Sequence, residues 1–189
     1  MYDRDPESYK KDSNNFKNIQ IIFQDPFSSL NPKMKIINIL KDIFLIQKIS
    51  NNIQIQNEIK LILKNLNLPS DSEFLNSYPS QLSGGQLQRI SIARSLLLKP
   101  KILICDESVN MLDAYVKVEI LDLLRNIQEK MDLTIIFITH DLGIARNFCN
   151  RLLVMHHGQI IEEGDSSAVF SHPKNSITKS LVNSSLNLN

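Results

Sequence analysis

The feature that most limits how this 189-residue chain can fold is a short apolar run followed by a helix-length stretch, repeated along the sequence. Ile102–Cys105 is continuously apolar and bounded by charge, and Leu133–Thr139 is a second such run. Between them, Ile120, Leu124, Ile127 and Met131 recur at helical spacing across Ala114–Met131. Short runs without polar alternation read as strands buried in a parallel sheet, and their alternation with helices gives the α/β class. Upstream, Ile19–Phe23 reads as a further strand, and Asp25-Pro26 and Asn31-Pro32 punctuate the loop behind it. Ile36, Ile39, Leu40, Ile43 and Phe44 mark one helix, and Ile59, Ile62, Leu63 and Leu66 mark another. The Asn/Gln-rich stretch 47–57 reads as a separator between them, and Pro69–Pro79 as turn-rich. Leu82–Leu98 is a loop entering a helix that Lys99-Pro100 stops. Downstream come a short helix over Leu142–Cys149 and a hairpin around His156-His157-Gly158. A tail from Asp165 then holds one amphipathic segment.

Composition excludes several classes. Lys and Arg number 21 against 20 Asp and Glu, a balance that argues against a dedicated phosphate-backbone binder and leaves room for a local basic patch. Apolar residues make up 42%, enough for a core. Cys105 and Cys149 give no disulfide framework and read as apolar packers in a reducing compartment. The apolar runs fall far short of the roughly 20 residues that span a bilayer. The polar, acid-bearing start is not that of a signal peptide. A soluble cytosolic chain is expected, with any membrane role exercised through a partner.

Four segments carry chemistry. In Leu82-Ser83-Gly84-Gly85-Gln86 two glycines follow a serine at a helix start. They offer backbone N–H groups and partial positive charge to a phosphate. Ile102–Cys105 runs into Asp106-Glu107, two carboxylates at the carboxyl edge of a sheet, where ligands of open α/β folds sit. One acid suits Mg²⁺ through water, and the other suits a proton from an attacking water. Ile135–Thr139 runs into His140, whose imidazole can bond a γ-phosphate or orient water. Phe23-Gln24-Asp25-Pro26 places a glutamine at the end of the first strand, able to reach a metal through its carbonyl oxygen. Taken singly, each has an ordinary explanation: a capped Gly-Gly turn, solvated acids, a loop histidine, a loop glutamine. The two adjacent histidines of the hairpin turn are a poor chelate.

Taken together and in this order, the segments resemble the ATP-binding subunits of ABC transporters, from Ile19 through nearly the whole chain. Gln24 is similar to the Q-loop glutamine, Leu82–Gln86 to the LSGGQ signature, and Ile102–Glu107 to Walker B. Leu112-Asp113 resembles the end of the D-loop, though Asn110-Met111 stand where the family usually has Ser-Ala or close to it. His140 is similar to the switch histidine. Phe23–Pro32 and the Ser171-His172-Pro173 and Thr178–Leu181 tail resemble oligopeptide, dipeptide and nickel importers.

The resemblance implies a P-loop NTPase-like parallel-sheet core with an inserted helical signature subdomain at about 35–98. The Walker B and histidine core would occupy 100–164 and the tail 165–189. It implies ATP and Mg²⁺, with Gln24 and Asp106 at the metal and Glu107 and His140 catalytic. Ser83, Gly84, Gly85, Gln86 and Asp113 would act on nucleotide across a head-to-tail pair of subunits. Implied partners are a second ATPase subunit, transmembrane permeases and, indirectly, an extracytoplasmic solute-binding protein, at the inner face of the cell membrane.

GxxxxGK[ST] occurs nowhere in the 189 residues, and none of the five glycines begins it. The expectation is therefore the later part of a nucleotide-binding subunit, lacking the Walker A portion and unable to hydrolyse ATP alone. A catalytically dead fragment, an accessory half-site lending only its signature, and an ABC ATPase outside transport are the alternatives. Arg89 and Arg94 are expected to brace the helical subdomain.

Overall fold

A computed structural model describes residues 17–186, with side chains through 184. The chain forms two compact units, 1–136 and 137–189, whose boundary falls inside a strand.

The first unit opens with β1 (Ile19–Ile22), then α1 (Pro26–Ser29), α2 (Ile36–Ile46), α3 (Asn52–Asn65), α4 (Ser72–Asn76) and a 3₁₀ turn (Pro79–Gln81). It continues with α5 (Gly84–Leu96), β2 (Ile102–Asp106), α6 (Ala114–Met131) and the start of β3 (Thr134–Ile138). The sheet order is β1-β2-β3, and β1 runs parallel to β2 with Ile22 opposite Cys105. This is the α/β architecture expected from the alternating pattern.

The helical layer is built on α2. Its Ile36, Ile39, Leu40, Ile43 and Phe44 are all buried, and α2 touches α3, α4 and α5. The polar stretch 47–57 differs from expectation. The helix already begins at Asn52, because Asn51 caps it by accepting from the Ile53 and Gln54 amides. The Asn and Gln residues occupy the wet face while Ile55 turns inward, so composition masked a helical start. Likewise α4 sits inside the turn-rich segment, capped by Asp71. Along α5, Leu87, Gln88, Ile90, Ser91, Ile92, Ala93, Ser95 and Leu96 are buried. It touches the helical layer, α1 and β1, and so forms the spine of the unit.

The expectation of strands buried on both faces is corrected. Leu103 and Cys105 of β2 are fully buried together with Ile22 of β1. On the other face, Ile19 and Ile21 are 45% and 44% exposed, and Ile136 and Ile138 of β3 are exposed as well. Every core position of β3 is apolar, yet its burial alternates. In the first unit the face carrying Ile22, Leu103 and Cys105 is therefore the packed one, and the face carrying Ile19 and Ile21 is the more exposed.

The second unit comprises the end of β3, α7 (Leu142–Phe148), β4 (Arg151–His156), β5 (Gln159–Asp165), α8 (Ser166–Ser171) and α9 (Ser176–Leu186). β4 and β5 pair antiparallel through a two-residue turn. There His157 and Gly158 both have positive φ, at 47° and 77°, as a type I′ hairpin requires. The tail holds two helices rather than one segment, because Asp165 caps α8 and His172-Pro173 ends it. Glu162 of β5 then receives the backbone N–H groups of Lys174 at 2.7 Å and Asn175 at 3.0 Å, which pins the start of α9.

Those two bonds to the ionised form hold the Glu162 carboxyl below its ordinary 4.5. A lowered folded value means that the stabilisation is complete above the unfolded value and is lost as pH falls through the folded one. Acidification below about 4.5 is therefore expected to loosen α9, read as faster amide exchange at Lys174 and Asn175. Glu162→Gln should remove that pH dependence. An unchanged profile in the variant would assign it to another group, such as Asp165, whose carboxyl is lowered by Ser167 and the Ala168 amide.

Candidate functional site

The parallel register of β1 and β2 places their carboxyl ends side by side. Gln24 follows β1 by two residues and is exposed, immediately before Asp25, which caps α1 by accepting from the Phe27 amide at 2.9 Å. Asp106 ends β2, and Glu107 follows it, both half-buried. The structure thus brings Gln24, Asp106 and Glu107 to one sheet edge. Their oxygens are hard donors of the kind Mg²⁺ takes, so the residues present fit the ion.

Glu107 is set apart by its backbone, with φ of 48°. Among the described residues, five other non-glycine residues have positive φ: Lys48, Asn67, Lys99, Asp132 and His157. The first four end helices and the fifth lies in the hairpin turn, where that conformation is routine. Glu107 alone among them lies neither at a helix end nor in the hairpin turn, but directly behind the parallel strand β2. A turn closes behind it, with the Asn110 amide donating to the Glu107 carbonyl at 3.0 Å. Strain of this kind gathers at functional positions. It re-aims the carboxylate where β2 stops.

The glycine-rich segment forms a second cluster. Ser83 caps α5: its Oγ accepts from the Gln86 amide at 3.3 Å, and Gln86 Oε1 accepts from the Ser83 amide at 3.0 Å. This reciprocal cap uses oxygen lone pairs only. The Ser83 hydroxyl proton and the Gln86 amide N–H groups therefore remain able to donate. Gly84 is exposed and Gly85 half-buried at the helix start. A Cβ on Gly85 would stand 2.8 Å from Val116 Cγ1, so the glycine is required by the close approach of α6. Asp113 caps α6, its Oδ1 accepting from the amides of Tyr115 at 3.1 Å and Val116 at 3.0 Å. Ser83–Gln86 and Asp113 are therefore neighbours.

His140 lies in the second unit, exposed, between β3 and Asp141. Asp141 caps α7 by accepting from the Gly143 and Ile144 amides. Arg89 turns inward, whereas Arg94 is exposed on α5. Arg89 pairs with Glu119 of α6 and reaches the Leu66 carbonyl, and Arg94 donates to the Ser29 carbonyl at 3.1 Å. Sequence reasoning did not supply Glu119, Val116 or Ser29 as partners. The Arg89–Glu119 pair is 30 positions apart, and no local spacing signals it. Cys105 is buried and Cys149 half-buried, and burial pushes the Cys149 thiol up. No described helix is long and apolar enough to cross a membrane.

The chain is similar to proteins whose names and structures are known. The profile of a family described as ABC transporter matches residues 2–110. The oligopeptide transport ATP-binding protein OppF of Haemophilus influenzae is 38% identical over 167 residues, 88% of this chain and 50% of its own length. The dipeptide transport ATP-binding protein DppF of the same organism is 37% identical over 166 residues, again 88% and 50%. A putative peptide import ATP-binding protein of Brucella ovis is 37% identical over 88% of this chain and 52% of its own. This chain thus spans about half the length of the curated relatives it matches. Among solved structures, CbiO1 of Clostridium perfringens, part of the CbiONQ ABC transporter complex, superposes with a TM-score of 0.71. It is 28% identical, and the match covers 92% of this chain and 64% of that one.

Proposed function

The chain belongs to the ABC transporter family, and from that membership we propose that it is ATP-binding machinery of an importer for peptides or a related small solute. The observation that carries the reading is the meeting of Gln24, Asp106 and a left-handed Glu107 at one parallel-sheet edge.

Bound ATP with Mg²⁺ would supply the γ-phosphoryl group that water attacks. Asp106 would hold the ion through water, with the Gln24 side-chain carbonyl as a further oxygen donor. Glu107 would orient the attacking water and take its proton on a carboxylate oxygen. His140 would donate to a γ-phosphate oxygen. Catalysis of this kind rests on positioning and electrostatics. The 189 residues contain no GxxxxGK[ST] loop, so the cradle for the β- and γ-phosphates comes from outside them.

Ser83, the glycine amides and Gln86 would act on nucleotide held by a second, facing ATPase subunit, with Asp113 at the same junction. Met111, Tyr115 and Val118 support this face as an interface, since all three are exposed apolar side chains around Asp113. The segment from Pro26 to Met34, where Phe27 is exposed, would receive a permease at the inner membrane surface. Closure on ATP and reopening on hydrolysis would then drive transport.

Because the signature is whole and the phosphate loop is not among these residues, the accessory half-site is the second reading. Purified alone, the chain is expected to show no ATP hydrolysis. Mixed with a complete partner subunit, it is expected to raise that subunit's turnover. Absence of any rise above the partner alone would overturn the half-site reading, and robust turnover by the chain alone that Glu107→Gln abolishes would overturn the first expectation.

A further inference from the structure

Three rungs join α5 to α6 and to the turn that leads into it, all advancing in the same direction. Leu112 Cδ2 lies 3.9 Å from where a Cβ on Gly84 would stand, and Val116 Cγ1 lies 2.8 Å from one on Gly85. The third rung is the Arg89–Glu119 ion pair. The rungs advance together, from 84 to 89 on one side and from 112 to 119 on the other. The two helix starts therefore lie abreast, each closed by its own cap. The first two rungs are apolar packing and tolerate sliding. The third is directional.

Arg89 is 13% exposed, while Glu119 is 40% exposed. The guanidinium is therefore the buried member, and its Nε has no hydrogen-bond partner. What holds it is Glu119 on one side and, at 3.5 Å, the Leu66 carbonyl behind α3 on the other. A largely buried cation with so few acceptors depends strongly on its carboxylate.

We propose that Arg89 and Glu119 are positioning residues that lock the Ser83–Gln86 loop and the Asp113 cap into one rigid frame, presented as a unit to the facing subunit. The consequence for the facing subunit rests on the reading of function given above; the frame itself does not. Without the lock, α5 and α6 lose their mutual register, and the capped first turns at Ser83 and Asp113 open more often. The two elements then reach a facing nucleotide independently.

The test uses Glu119, whose exposure lets it be changed without opening the core. In the chain alone, Glu119→Ala is expected to speed amide exchange together at Gln86 and Leu87, bonded to Ser83, and at Val116 and Lys117, bonded to Asp113. Exchange in α2 should be unchanged, and Glu119→Asp should restore most of the protection. In the mixture with a complete partner subunit, Glu119→Ala is expected to cut maximal stimulation roughly 2- to 30-fold, with little change in the chain concentration giving half of it. Glu119→Asp should recover stimulation too. If the unaltered chain fails to stimulate, the half-site reading falls and exchange still decides the frame. If Glu119→Ala leaves exchange at these four amides unchanged, or stimulates as well as the unaltered chain, the lock is overturned.

Discussion

Gly85→Ala is expected to lower this chain's stimulation of a complete partner subunit by about two orders of magnitude, the effect of roughly 1 Å of misplacement at a reacting group. Two effects oppose each other at this position. Alanine gains up to about 1 kcal/mol of helix propensity over glycine, and less than that in a first turn. Against this, the new methyl meets Val116 Cγ1 at 2.8 Å. Val116 is β-branched and held in one rotamer by its helix, so it cannot swing away. Overpacking of this sort costs about 1–3 kcal/mol and wins. Relief comes by moving the start of α5, which carries Ser83 and Gln86. The pairing makes the prediction specific: Gly85→Ala combined with Val116→Ala should recover most of the stimulation, a non-additive result that neither single change forecasts. Full activity of Gly85→Ala alone would mean that the approach of the two helices does not set the position of the signature loop.

Phe44→Ala is expected to destabilise the first unit by about 3–5 kcal/mol. Phe44 has no exposed surface, and its helix touches α3, α4 and α5, so the void would open where the helical layer is joined to the spine. For a chain of this size each kcal/mol lowers the midpoint by about 2–4 °C. Calorimetry should therefore show a fall of about 6–20 °C. Ile46→Ala, two residues along the same helix but 56% exposed, is expected within about 0.5 kcal/mol of the original. Equal effects of the two changes would show that α2 is not packed by the face its periodicity presents.

Much of this protein was legible before any coordinates. The 3.6-residue period of Ile36–Phe44 and of Ile120–Met131 placed two helices, and both strands flanking α6 were found from their apolar runs. Motif order identified the family. Where the reading failed, chemistry of the same kind could mean two things. Asn52–Asn57 are polar enough for a loop, and only the Asn51 cap makes them the wet face of α3. Leu133–Thr139 is apolar throughout, and nothing in that string distinguishes a strand covered on both sides from one covered on one.

The sequence by itself determined most of the elements and where side chains of the kinds suited to phosphate, metal and proton stand, because those depend on local backbone preference and on functional groups. The tertiary structure alone decided the rest. The register of β1 on β2 set Gln24 beside Asp106 and Glu107. The turn after β2 forced Glu107 into a left-handed backbone. The crossing of α5 on α6 chose Val116 for Gly85 and Glu119 for Arg89. These are pairings between residues far apart in the chain. Such pairings are fixed by how whole layers fill space, and no local pattern encodes them.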